Sequence, residues 1–418
     1  MSFNQSRHGN RIAFPWIASL TVAFLGLIAV ARADTKSLDA LWRTYFNAAT
    51  LEIEASQNAA EMQVKKDRGH NALILLESAL DVANRIDPDG PRPRMTIWLE
   101  YLNYYGIGEG ETAEKVMKNS KPVDLKNFGA DLLPVASTLE RLADTYISHA
   151  DDKVYNSGNE YFGAFKGFQF EMGILQNAYG ADDIRLAIPT ALFGLARMRL
   201  GHYFSVLADN QSKEDGKERD ENRKSAELYL QGAIQSYQRA LDLWSKEREK
   251  DEILEANSQR YMVSGFVAQP TESYNHGFFS ATASDVKGPK DVQNLLSNTY
   301  EELGDLYTEM KQDEKARGQY KNAETPLLAV LKTIDAQWPN HPARAREQNM
   351  IAIVYLREKR YNEAEQLFRQ ALQITEQTDG RSASDTKTLA GNLAYCLRLE
   401  ERNSDAQSIA QAYSVKVN

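Results

Sequence analysis

Three stretches in the last third of the chain repeat one pattern, and that repeat limits the fold more than any other feature. The first reads Tyr300-x2-Leu303-Gly304-x2-Tyr307, then Ala316-x3-Tyr320-x2-Ala323. The second reads Ile351-Ala352-x2-Tyr355, Tyr361, then Ala364-x3-Phe368-x2-Ala371-Leu372. The third reads Leu393-Ala394-x2-Leu397, then Ala406-x3-Ala410-x2-Tyr413. The marker alanines 316, 364 and 406 are 48 and 42 residues apart, and each follows a small residue (Gly304, Ala352, Ala394) by 12. Apolar residues at steps of three and four mark one face of a helix. A small residue at a fixed place lets two antiparallel helices approach closely, and the aromatic four residues after the alanine fills the space beside it. Each pair keeps an apolar face, so the next pair must stack on it. The expected fold is an all-α solenoid of antiparallel helix pairs.

These units resemble the tetratricopeptide repeat family over about residues 297–378 and, less fully, over 387–414. The resemblance implies a right-handed superhelix and a role in binding protein or peptide. The 42-residue spacing and the loops Trp338-Pro339-Asn340-His341-Pro342 and Asp379-Gly380 resemble the longer, kinesin-light-chain type of repeat. Lys311 and Lys359 stand in turns where the family often has Gly, and Ala410 replaces the usual aromatic. Upstream the pattern fades. Ala233-x3-Tyr237-x2-Ala240-Leu241 is similar to a second helix, with its first helix around Leu192–Phe204 and Leu195-Ala196 or Leu200-Gly201 as the small position. Leu142-Ala143-x2-Tyr146 is similar to a first helix and Ala72-x3-Leu76-x2-Ala79-Leu80 to a second. Residues 36–250 read as degenerate helical repeats; over 36–135 an unrelated helical domain is the alternative. The expected division is 1–33, 34–260, an aromatic and Gly-containing linker at 261–290, and repeats over 291–418.

Residues 1–33 hold no acid. Arg7 and Arg11 precede an apolar run from Ile12 to Ala31 that ends Ala31-Arg32-Ala33 before Asp34. A basic start, an apolar middle and a small-x-small end describe a secretory signal peptide. The expectation is export with cleavage after Ala33: periplasmic in a Gram-negative bacterium, otherwise secreted. The alternative is an uncleaved anchor, since the run is long enough to span a bilayer. Cleavage removes three Arg and takes the net charge from −9 to −12. The mature chain is then not transmembrane, because no later segment approaches 18 apolar residues. The acidic balance argues against nucleic acid, which needs a basic face. The one cysteine, Cys396, excludes a disulfide framework. It lies among Leu393, Ala394 and Leu397 and reads as a buried small hydrophobe.

No catalytic constellation emerges. Tyr105-Gly106-Ile107-Gly108-Glu109-Gly110-Glu111 lacks the glycine spacing and the Lys-Ser/Thr ending of a phosphate loop, and reads as a turn. None of the six histidines has a second at metal spacing. The interleaved charges of 210–225 read as a solvated hairpin extension. The aromatics of 155–170 and of 261–290 read as packing residues. No cofactor or metal is expected, and the chain is not expected to be an enzyme. The resemblance places a partner-binding groove on the first helix of each unit. Asn298, Glu301, Asp305 and Thr308 fall there from the first unit, Arg346, Asn349 and Arg357 from the second, and Thr388, Tyr395 and Arg398 from the third. The row therefore passes from acidic to basic. Asn349 is similar to the groove asparagines of kinesin light chains, which hold a peptide backbone. Two other classes remain open: an exported hydrolase or glycan-binding protein with its site in residues 90–180 or 261–290, and a structural subunit of an envelope assembly. Finally, Leu397, Ile409, Ala410, Tyr413 and Val415 are expected to lie partly uncapped at the C-terminal end. That is a possible homo-oligomer or partner contact.

Overall fold

The computed structural model describes residues 34–118, 126, 128–151, 158–210, 216–246, 286–337 and 341–415. The signal-like segment 1–33, all but the last five residues of 261–290, and parts of the 210–225 charge run and the 338–342 loop lie outside the described residues. Within them the chain is all-α, with fourteen α-helices and no strand. It divides into two compact units, with the boundary after Phe128.

In the first unit, α1 (Thr35–Gln57), α2 (Met62–Ile86), α3 (Pro91–Gly106) and α4 (Gly110–Lys118) pack each against the next. Asp34 caps α1 by accepting the Ser37 N–H at 2.8 Å, and Pro91 opens α3 where no intrahelical donor is needed. Trp42, Phe46, Ala49 and Ile53 of α1 are fully buried beside Ala72, Leu76 and Ala79 of α2 and Met95 and Leu99 of α3. The Trp42 indole N–H donates to Thr96 Oγ1 at 3.2 Å, which satisfies the one polar atom that the buried ring carries.

The second unit holds α5 (Leu133–Asp151), α6 (Gly158–Tyr179), α7 (Ala187–Asn210), α8 (Gly216–Ser245), α9 (Pro289–Glu309), α10 (Asp313–Gln337), α11 (Ala343–Arg357), α12 (Tyr361–Thr378), α13 (Ser384–Leu399) and α14 (Asn403–Tyr413). They pair as hairpins α5–α6, α7–α8, α9–α10, α11–α12 and α13–α14, and neighbouring hairpins pack through α6 on α7, α8 on α9, α10 on α11 and α12 on α13.

One turn recurs. Lys311, Lys359 and Glu401 sit at φ 57°, 61° and 63° between the helices of the last three hairpins. In each, the residue after the left-handed one donates back across the turn: Gln312 to Tyr307 O at 2.8 Å, Arg360 to Tyr355 O at 2.8 Å and Arg402 to Leu397 O at 2.9 Å. The left-handed residue itself donates to Thr308, Leu356 and Arg398. This double closure satisfies carbonyls that a helix end leaves orphaned. The same bonds recur between α3 and α4, where Gly108 (φ 85°) donates to Tyr105 O at 3.0 Å and Glu109 to Tyr104 O at 2.8 Å. Five residues on, Ala113 is buried, as Ala316, Ala364 and Ala406 are five residues after their own left-handed positions. The α3–α4 hairpin thus shares the turn but not the small residue 12 earlier, which is Tyr101.

The close crossings are where the pattern places them. A Cβ on Gly304 would meet the Tyr320 ring at 2.4 Å, and one on Gly194 would meet the Tyr237 ring at 2.8 Å. The glycine against Tyr237 is therefore Gly194 and not Gly201, which instead faces Leu230. On α5, Ala143 meets Gly167 of α6, with 2.9 Å to an added Cβ.

The expected open apolar end is corrected for three of its five residues. Leu397, Ala410 and Tyr413 are buried, and Ile409 and Val415 are half-buried. The Tyr413 hydroxyl donates to Glu376 Oε2 at 2.8 Å, and Arg381 lies over its ring. Helix α14 has a narrow apolar stripe (406, 410, 413) turned inward, while Asn403, Ser404, Gln407, Ser408 and Gln411 face out. Its outward face is polar.

Gly304→Ala tests the crossing. The Tyr320 ring is held in place by its own hydroxyl bond, so overpacking should cost roughly 1–3 kcal/mol, read as a lower urea midpoint with unchanged slope. Parent-like melting would mean that the two helices do not meet there.

Candidate functional site

The row on the first helices α9, α11 and α13 is partly internal. Glu301, Asp305, Arg346 and Asn349 are 8%, 3%, 9% and 0% exposed. Asn298, Thr308, Thr388 and Tyr395 are half-buried, and Arg398 is exposed. Residues Ala345–Val354 of α11 are buried on every face, so polar side chains there must find partners inside the protein.

The structure brings Glu301, Asp305, Thr308 and Arg357 together. The Arg357 guanidinium reaches from α11 to Glu301 Oε2 at 3.3 Å and Asp305 Oδ2 at 3.0 Å on α9. Tyr320 of α10 donates its hydroxyl to Asp305 Oδ1 at 2.7 Å and lies 3.1 Å from Thr308 Oγ1. The acids of the first unit therefore pair with Arg357 of the second instead of facing solvent unpaired, while Arg398 of the third stays exposed. Further along, Asn392 of α13 donates to Asn349 Oδ1 at 2.9 Å, and Asn294 of α9 donates to Glu347 Oε1 at 3.3 Å. Gln348 donates to Gln370 Oε1 at 2.7 Å. Each first helix is thus tied to the next by buried side-chain bonds.

Tyr320, Asn294, Glu347, Gln348 and Asn392 were not singled out in the sequence as parts of this row. For Asn392 a signal existed: it is an amide inside the apolar run Leu389-Ala390-x2-Leu393-Ala394. For Tyr320 the sequence showed only a packing aromatic.

Burial pushes the Glu301 carboxyl up to about 7, with Arg357 pulling it down and Asp305 pushing it further up. Burial also pushes the Glu347 carboxyl up, against the pull of Arg346 and Lys290. The Tyr320 hydroxyl is raised by burial and by Asp305. Burial pushes the Cys396 thiol up to about 12, helped by Glu400 and Glu365. Its sulfur is fully buried and donates to Tyr361 O, so it behaves as the buried small hydrophobe expected.

Within residues 90–180, two carboxyls converge across the α5–α6 hairpin. Glu171 is 2% exposed, and its carboxyl is pushed well up by burial and by Glu140. No group of three or more His, Cys, Asp or Glu able to hold a metal occurs among the described residues. No helix among them is long and apolar enough to cross a membrane.

The ion cluster gives a pH signature. A carboxyl raised from 4.5 to about 7 binds its proton more tightly folded than unfolded, so its ionisation penalises the folded state as pH rises through that window. Glu301→Gln should flatten stability between about pH 4.5 and 7. Arg357→Ala should cost roughly 3 kcal/mol at pH 8, the low end for breaking a buried pair because its side chain keeps 28% exposure. It should cost less at pH 5. Urea midpoints across pH measure both; equal slopes for parent and Glu301→Gln would contradict the assignment.

The tetratricopeptide repeat family model matches residues 342–413, the two hairpins α11–α12 and α13–α14. No curated protein matches the chain. Among solved structures, the human IFIT1 dimer with PPP-AAAA is similar at 13% identity, over 92% of this chain and 95% of that one, with a TM-score of 0.16. A likeness that weak carries no argument about this protein. The last two hairpins match the tetratricopeptide repeat.

Proposed function

We propose that this protein is an exported, non-catalytic scaffold that holds a protein or peptide partner along the first helices of its C-terminal hairpins. The observation that carries the reading is the division of labour along the row. Its buried members lock successive first helices together, and Asn298, Thr388, Tyr395 and Arg398 remain accessible on the same helices. A surface held rigid from beneath loses little freedom when it binds, which favours affinity. The match of residues 342–413 to a repeat family of helix–turn–helix units, a family expected to bind proteins, points the same way. Tyr395 and Arg398 are the side chains we assign to direct contact. Asn349 and the Arg357 cluster are assigned to the frame.

Export rests on the sequence of residues 1–33. Asp34, the residue after the proposed cleavage point, is the N-cap of α1, so cleavage there leaves the first helix its cap. Protein made in a secreting host should begin at Asp34 by N-terminal sequencing; a mature chain that keeps Met1–Ala33 would mean an anchor.

A photo-crosslinking residue at 395 should capture a partner in the native compartment, and one at exposed Gln407 should not. Arg398→Glu should reduce capture about tenfold with helicity unchanged, a loss on the scale of one charge-assisted contact. Equal capture from both positions, or capture indifferent to Arg398→Glu, would remove the row as the binding surface.

A further inference from the structure

A second surface is built from aromatic rings on the hairpins further upstream. Phe204 of α7 stacks on Tyr229 of α8, with centroids 5.7 Å apart and planes 4° apart. Phe162 of α6 sets its edge against both, at 6.2 Å. Phe165 touches Tyr229 at 5.8 Å and stacks on Phe193 of α7 at 5.1 Å. All five rings are half-buried. They form a continuous platform across three helices, and its outer side meets solvent.

Two cations border it. Arg197 lies 4.2 Å from the Phe193 centroid and Lys166 lies 5.5 Å from that of Phe165. Arg197 is laid along α8 at Gly232, where an added Cβ would come within 3.2–3.4 Å of its Cδ, Nε and Cζ. Its Nη1 donates to Gly232 O at 2.9 Å and Ser236 Oγ at 3.0 Å. Lys166 Nζ donates to Gln169 Oε1 at 2.8 Å. Neither cation meets a carboxylate among the described residues, whereas Arg360 and Arg402 elsewhere in the array each gather three. Burial pulls both Lys166 and Arg197 down. Desolvating a cation without a counter-charge is unfavourable, and an arriving carboxylate relieves it. At the opposite end of the chain of ring contacts, Tyr203 is raised by burial and by Glu160, so the positive character belongs to the Lys166–Arg197 end.

We propose that this platform binds a protein segment in which acidic residues flank an aromatic or large apolar side chain. The apolar side chain lies on the Phe165, Phe193 and Tyr229 rings, and the carboxylates pair with Arg197 and Lys166. Arg197 offers a planar fork beside an aromatic face, which suits a carboxylate that arrives on a ring. The charge of the two cations selects an acidic over a basic segment, because a like charge at the rim repels. This surface is separate from the row on α9, α11 and α13, and it stands or falls without that row.

The probe is a fluorescein-labelled octapeptide of alternating Glu and Phe, with the Lys and Phe octapeptide as its counterpart, titrated by anisotropy against the protein from Asp34 onward. The acidic peptide should bind about tenfold tighter than the basic one and weaken with salt, as exposed charges are screened within roughly 8–10 Å. Arg197→Gln and Lys166→Gln should each lower its affinity about tenfold, one charge-assisted contact apiece. Arg369→Gln on α12 and the Tyr395→Ala, Arg398→Glu pair should leave it unchanged. Circular dichroism checks each fold, and Lys166→Gln carries the test if Arg197→Gln does not fold. Equal binding of the two peptides, or parent-like binding by both cation variants, overturns the proposal. Binding of laurate in place of the acidic peptide would assign the platform to an anionic lipid. A dimer by light scattering that Arg197→Glu abolishes would assign it to a second copy of the chain. Either of those results overturns the proposal as well.

Discussion

The close crossing of two antiparallel helices, set by a small residue facing an aromatic, is what the second unit depends on. With Gly304 against Tyr320 and Gly194 against Tyr237, two of the hairpins close to a distance at which even a Cβ would force the facing ring to shift. The turn then finishes the hairpin by satisfying the end of its first helix. A left-handed residue does this most easily as Gly, yet Lys311, Lys359 and Glu401 adopt the same geometry. A non-glycine residue there costs about 1 kcal/mol, an amount the paired turn bonds and the stacked hairpins offset. The resemblance to a repeat family survives these departures because the backbone bonds, not the glycine, define the turn.

Between hairpins the contacts change character. Stacked faces bury apolar residues such as Leu327, Ile351 and Val354, but the first helices meet through polar groups. Asp305, Glu301, Arg357 and Tyr320 form one such joint, and Asn349 with Asn392 another. Apolar contacts tolerate sliding, whereas a buried ion pair or amide bond is lost when one helix shifts by a residue. We read these joints as what holds successive first helices in register. They add specificity more than stability, since burying charge costs much of what pairing returns. The accessible row is presented by helices held in this way.

Much of the fold was legible in residues 297–414 because the 12-residue interval between small residue and marker alanine is a property of the backbone hairpin. Further upstream the same packing uses other residues. Gly194 does what Gly304 does, but the longer hairpin α7–α8 breaks the interval and hides it. The α3–α4 turn keeps Gly108 and Ala113 in register, yet Tyr101 replaces the small residue, so the pattern reads as an isolated turn. The site was legible in part. Spacing places Glu301, Asp305, Asn349 and Arg357 on the first helices, and there they are; that Arg357 pairs with Glu301 and Asp305, and Asn349 with Asn392, is a matter of inter-helix distance, which one sequence does not carry. The polar outer face of α14 is legible too, in Asn403, Ser404, Gln407 and Ser408, which fall away from the 406, 410, 413 stripe.

The most direct test of the joint between first helices is a double-mutant cycle on Asp305 and Arg357, using Asp305→Asn and Arg357→Met and urea unfolding at pH 8. The account predicts that the two losses are not additive, with a coupling of roughly 2 kcal/mol, within the range seen for residues in one ion network. Additivity within about 0.5 kcal/mol would contradict it and leave the register of the first helices to apolar stacking alone.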